Sequence, residues 1–215
     1  MEKVTRENPE FKEIRPELIE RVEGSDFTYD DKANLLLVAA GLKPASDIRL
    51  ISVQEPEEGL SVELTEEEIS SNLAVVKDSG VFFKAGEPKL TGGLWGGKRP
   101  TTEKEIEILI GGTQQDLDNL VYAYETSDSE LLGRAYGFPA TATEAYLGKR
   151  PRLDVDALPK KIKHGEAMAF GGFIFSADNW EEEIKQAQVW ADFIKKVSPS
   201  IYKEALRVQK IAKTI

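Results

Sequence analysis

The chain has 215 residues, 40% hydrophobic and 31% charged, with no cysteine, one histidine and a net charge of −10. That length and balance describe one ordinary globular domain, or a domain with a small appendage, able to bury a core without covalent staples. The missing thiols exclude disulfides, thiolate metal centres and cysteine nucleophiles, and a single imidazole excludes any site that needs two.

Asn8-Pro9 reads as a helix start, with Phe11, Ile14, Leu18 and Val22 at helical spacing. Pro16 is expected to split this helix into two pieces and Gly24 to end it. Thr28 with Asp31 has the spacing of a capping box, and the run Ala33–Ala40 behind it is apolar nearly all round, which predicts a buried helix stopped by Gly41. Residues 47–64 alternate weakly and suggest a strand, interrupted by a loop at Glu55–Glu58. Thr65 with Glu68 opens a helix through Lys77, closed by Gly80, and Val81–Lys84 is a short strand. Gly86–Thr102, dense in Gly and Pro, reads as a long loop.

Glu103–Ile110 is the clearest strand, with Ile106, Ile108 and Ile110 on one face. Thr113 and Asp116 then cap a helix carrying Leu117, Leu120, Val121 and Tyr124. Ser127 with Glu130 starts the next helix, and Pro139 a third that runs through Tyr146. Residues 149–165 form an irregular basic connector. Ala167–Phe175, apolar around Gly171-Gly172, reads as a buried strand with a bulge. Asp178 and Glu181 are expected to cap a helix with Ile184, Ala187, Ala191 and Ile194 in line, and Ser198-Pro199 starts the last one. The sum is seven or eight helices and four or five short strands that do not alternate regularly. This predicts an α+β fold: a small mixed or antiparallel sheet of four to five short strands packed against a mostly helical body.

Charge is uneven. Residues 1–70 hold 18 acids and 8 bases, or −10, and residues 71–215 hold 20 of each, or zero. Within the neutral part, residues 149–163 hold six bases against two acids. An acidic chain is a poor nonspecific binder of nucleic acid, although the basic stretch could meet one anion, an acidic partner or the acidic first third. No stretch reaches the ~20 apolar residues of a membrane span, and Met1–Glu10 lacks the apolar core of a signal peptide, so a cytoplasmic protein is expected. Few Asn, Gln, Cys and His beside many Glu and Lys point to a thermophilic source.

Several segments carry candidate chemistry. Gly92-Gly93-Leu94-Trp95-Gly96-Gly97-Lys98-Arg99 approaches a phosphate loop, but Arg99 stands where the magnesium-binding hydroxyl belongs and no apolar strand precedes it; a flexible glycine lid fits better. Gly111-Gly112-Thr113 joins a strand to a helix, where backbone amides can hold an anion or simply make a tight turn. His164 is either a loop histidine or a general base or binding group. Gly133–Tyr146 places Arg134 and Tyr136 between two glycines, then Pro139 begins a helix whose first turns carry Thr141, Thr143 and Glu144. It reads equally as a helix–helix corner and as a binding corner.

That last stretch resembles the Gly-Tyr-Pro-x-Cys-Cys-x-x-x-Phe signature of the mainly archaeal domain-of-unknown-function family 483, with Thr141 and Ala142 where the cysteine pair stands. Phe175–Trp180 is similar to the same family's Pro-Cys-Ser-x-x-Cys segment, with Ser176 and Trp180 replacing its cysteines, and Ser198–Tyr202 is similar to the family's ending. The resemblance spans roughly residues 75–206. It implies a shared fold for residues 71–215, with 1–70 as an acidic helical part of the same domain. It implies no transferable activity, and any thiol chemistry is lost from this chain.

Two functional readings stand. In the first, the 133–146 corner meets the 175–179 segment and binds or transforms a small anionic molecule. Arg134 holds the anion, Tyr136, Thr141, Thr143, Asn179 and His164 supply further contacts, and Glu144 or Asp178 acts as acid or base, with no metal and no cofactor. In the second, the protein is a non-catalytic scaffold or homo-oligomer that uses its acidic first third. The residues leave open whether it is an enzyme.

Overall fold

A computed structural model describes residues 11–55, 60–62, 64–95, 99–158 and 165–211. The class is α+β, with one antiparallel sheet among the described residues, set among helices. Its spine is β1 (Ala45–Glu55) against β5 (Arg99–Gly111), in register from Ala45↔Gly111 to Gln54↔Thr102. β2 (Leu60–Val62) extends the β1 side. The other edge of β5 carries first β3 (Phe82–Ala85) and then β4 (Lys89–Trp95), joined in register by the Gly86 amide donating to the Glu107 carbonyl.

Alternation along the two central strands decides the layers. Ile48 and Leu50 lie opposite Ile108 and Ile106, and all four are buried on one face. Against that face pack α1 (Pro16–Glu23), α2 (Tyr29–Ala39) and α3 (Glu66–Asp78), with α7 (Ala167–Phe170), α8 (Trp180–Val197) and α9 (Pro199–Ile211) closing the core. Ala45 and Leu109 point the other way and meet Leu117, Leu120 and Ala135 from α4 (Gln114–Thr126) and α5 (Ser129–Ala135). The remaining α-helix among the described residues, α6 (Ala140–Tyr146), packs on α5.

The caps of α2, α3 and α4 follow the sequence: Thr28, Thr65 and Thr113 accept from the amides of Asp31, Glu68 and Asp116, and Thr65 with Glu68 makes a full capping box. Helix α2 is sealed, with Leu35, Leu36, Leu37 and Val38 at most 2% exposed.

Other expectations are corrected. Phe11 and Ile14 are not helical; the helix begins at Pro16, because proline suits a first turn and holds Arg15 in the extended region. Asn8-Pro9 lies outside the described residues. The segment expected as a loop over 86–102 contains β4 and the start of β5, while 96–98 lies outside the described residues. The long edge of β5 imposes pairing that local Gly content does not forbid, and Pro100 is tolerated beyond Thr102, where β1 pairing stops. Likewise 167–175 is not a strand. It is α7 followed by irregular chain, since a short apolar run fits a buried helical turn equally well and Gly171-Gly172 stops it. Ser127 ends α4 in a left-handed conformation, and Asp128 caps α5 in its place. Among the described residues no helix is long and apolar enough to cross a membrane.

Candidate functional site

The corner at 133–146 is built by two glycines. Gly133 lets α5 and α6 touch: a Cβ there would lie 2.4 Å from Thr143 Oγ1. Gly137, at φ +71°, reverses the chain over Pro44, where a Cβ would lie 2.6 Å from the proline ring. Pro139 then precedes α6.

The corner and the 175–179 segment do meet. Glu183, 1% exposed in the first turn of α8, accepts from Thr141 Oγ1 at 2.6 Å, Ser176 N at 2.7 Å and Ser176 Oγ at 2.5 Å. Asn179 Nδ2 donates to Thr141 Oγ1 at 3.1 Å. Just outside, Arg150 bridges Glu144 and Asp178, the latter at 2.7 Å. Asp178 therefore does not cap α8, and Asn179 occupies the cap position without a side-chain cap bond. Arg134 points away: its side chain is 68% exposed and pairs with Glu130, which also receives Lys149. His164 lies outside the described residues.

Tyr136 turns toward the sheet. Its hydroxyl donates to Asp47 Oδ1 at 2.8 Å and lies 2.9 Å from the Tyr124 hydroxyl. Burial, and then the Asp47 charge, push the Tyr136 phenol well above its ordinary range, so it keeps its proton. Behind it Lys43, 6% exposed, donates to Asn34 Oδ1 at 2.8 Å. The ammonium is boxed by Trp190, Phe138 and Tyr136, with ring centroids at 5.0, 5.5 and 5.9 Å. Burial lowers the Lys43 pKa to about 8, against the opposing pull of Asp30 and Asp47.

Between α5, α6, residues 152–155 and residues 168–175 lies a cavity of about 700 Å³. Leu132, Phe138, Leu153, Val155, Met168 and Phe173 give it an apolar wall, and its polar lining residues are Ser129, Tyr136, Thr143, Tyr146 and Arg152. Thr143, 6% exposed, has a buried hydroxyl with no hydrogen-bond partner. The cavity floor is tied to the corner by a short antiparallel pairing: Leu153 N donates to Phe175 O at 2.9 Å and Ala177 N to Pro151 O at 2.9 Å.

The expected site residues thus divide. Thr141 and Asn179 join a buried clasp, Glu144 and Asp178 join a surface ion cluster, Tyr136 and Thr143 line the cavity, and Arg134 joins none of these. Glu183 was not among them, although it lies on the stripe Glu183, Ala187, Trp190, Ala191, Ile194; a charge on an apolar helical face is a readable signal. Arg150 and Arg152 sat inside a charge run that reads as solvated surface. Among the described residues no group of three or more His, Asp or Glu could hold a metal ion. No protein-family model, curated protein or solved structure matches the chain.

Two stability measurements check this geometry. Glu183→Ala strands the Thr141 hydroxyl and both Ser176 donors and should lower the unfolding free energy by about 3 kcal/mol, whereas Arg134→Ala should change it by less than about 0.5 kcal/mol. Equal effects in urea titrations would refute the assignment of the buried clasp. Lys43 holds its proton less firmly when folded, so its charge costs stability below pH 8, and the cost fades between pH 8 and 10.5. The stability of Lys43→Met relative to the natural chain should therefore be about 2 kcal/mol greater at pH 7 than at pH 10. A pH-independent difference would show that the amine is not desolvated.

Proposed function

We propose that this protein binds a small organic molecule in the cavity between α5, α6 and residues 168–175. The observation that carries the reading is the cavity itself. At about 700 Å³ it falls within the ~300–1,000 Å³ of ligand pockets and shares their pattern of apolar walls with a few polar groups.

The reading moves the expected site inward. Glu144 and Asp178, named for acid–base work, share the Arg150 guanidinium at the surface, and Thr141 and Asn179 are spent on the clasp. Binding without turnover accounts for this better than catalysis does. The resemblance to family 483 bears on the same place: Thr141 and Ser176, at two of the four cysteine positions, converge on Glu183, and Ala142, at a third, lines the cavity. We read the clasp as a thiol-free counterpart of that corner.

Met168 lines the cavity and is partly exposed, so a larger side chain there grows into the cavity rather than into the core. The natural chain should bind the apolar dye Nile red at one equivalent with a blue-shifted emission. Met168→Trp should weaken binding about tenfold or more while leaving the melting temperature within a few degrees. Undiminished dye binding by a folded Met168→Trp variant would contradict the reading.

A further inference from the structure

We infer that the ligand of this cavity is a monoanionic amphiphile: a hydrocarbon body carrying one carboxylate, with the carboxylate seated on Arg152. The inference rests on the cavity being a ligand site and adds the chemical class.

Among the described residues Arg152, itself exposed, is the one charged residue of the cavity lining. Its plane is fixed from behind by the C-terminal turn of α6, where Nε donates to Ala145 O at 3.1 Å and Nη2 donates to Tyr146 O at 2.6 Å. Two of the five N–H donors of a guanidinium are used in this way, and three remain. The bonded edge is the one facing the helix end, so the unused donors lie along Nη1 and the outer side of Nη2. Among the described residues no carboxylate pairs with Arg152, although its neighbours in the basic connector are matched: Lys149 with Glu130, and Arg150 with Glu144 and Asp178. Among the described bases of the connector, Arg152 is thus the one without a carboxylate partner, and it is the one that lines the cavity.

The other polar groups narrow the class. The Tyr136 hydroxyl is committed to Asp47 and Tyr124, so it is not free to hold a second anionic group. Thr143, Ser129 and Tyr146 carry neutral hydroxyls. One oriented guanidinium matches one planar carboxylate, which it can grip through paired N–H donors. A phosphate ester or nucleotide brings two or more charges, and among the described residues no second cation lines the wall to meet them. A cationic amphiphile would be repelled by Arg152. A wholly apolar ligand would leave the guanidinium without an anion. The remaining walls, from Leu132 and Phe138 to Val155 and Phe173, suit an aliphatic or aromatic body.

Isothermal titration of the intact chain at neutral pH tests this with three probes of one chain length: decanoate, decanol and decylamine. Decanoate should bind about tenfold tighter than decanol, the size of one charge-assisted hydrogen bond, and decylamine should bind weakest. Arg152→Gln should erase the gap between decanoate and decanol while leaving decanol affinity within about twofold. The decanol arm also reports whether the cavity survives loss of the contact with α6. Arg152→Lys should restore part of the gap. Decanol binding as tightly as decanoate to the natural chain, or a gap that persists in Arg152→Gln, would overturn the carboxylate assignment and leave the cavity reading standing. If none of the three binds, the cavity reading fails, and this inference fails with it.

Discussion

One buried carboxylate joins the two parts of the molecule that frame the cavity. Glu183 gathers donors from Thr141 on α6 and Ser176 on the incoming chain, and it does so 1% exposed. Withdrawing a carboxylate from water costs several kcal/mol. Three donors and the positive end of α8 offset that cost, and the full set of donors forms only when both segments are in place. Helix α8 is in turn anchored in the main core by Trp190, whose indole N–H donates to Leu42 O at 3.3 Å. The cavity wall is therefore registered to the sheet through a chain of specific contacts: α6 to Glu183, α8 to Trp190, and Leu42 to the start of β1.

The charge distribution supports the same picture. The excess of acid lies in residues 1–70, and residues 71–215 are neutral. Inside the neutral part the bases are not simply solvated. Lys149 and Arg150 each find a carboxylate on α5, on α6 or before α8, which pins the connector across the mouth of the corner. Exposed pairs of this kind each contribute little stability. Their effect is positional: among the described bases of the connector they leave Arg152, exposed at the cavity wall, without a carboxylate partner. Lys43 plays a different part, as a buried ammonium held by aromatic faces behind the Tyr136 and Phe138 wall.

Much of this was legible in the residues. Apolar-all-round α2, the alternating isoleucines of β5 and the threonine caps of α2, α3 and α4 each follow from local chemistry that tertiary contacts reinforce. The meeting of 133–146 with 175–179 was a condition of one of the two functional readings and could not be read from the residues themselves. What the residues hid are features defined by partners distant in sequence. β4 exists because β5 offers it an edge, and nothing local in a Gly-rich segment announces that. Helix α7 and a buried strand share the same apolar run. Arg134 and Arg152 look alike as sequence. Only the paths of α5 and α6 send the first to Glu130 and solvent and bring the second to the cavity.

The most direct measurement of the central claim is methyl NMR of the intact chain during titration with decanoate. The methyls of Leu132, Leu153, Val155 and Met168 should shift together and saturate at one equivalent, while those of Leu35, Leu36 and Ile108 in the main core stay unmoved. Shifts confined to other methyls, or no saturable shift at these four residues, would contradict the assignment of the cavity as the binding site.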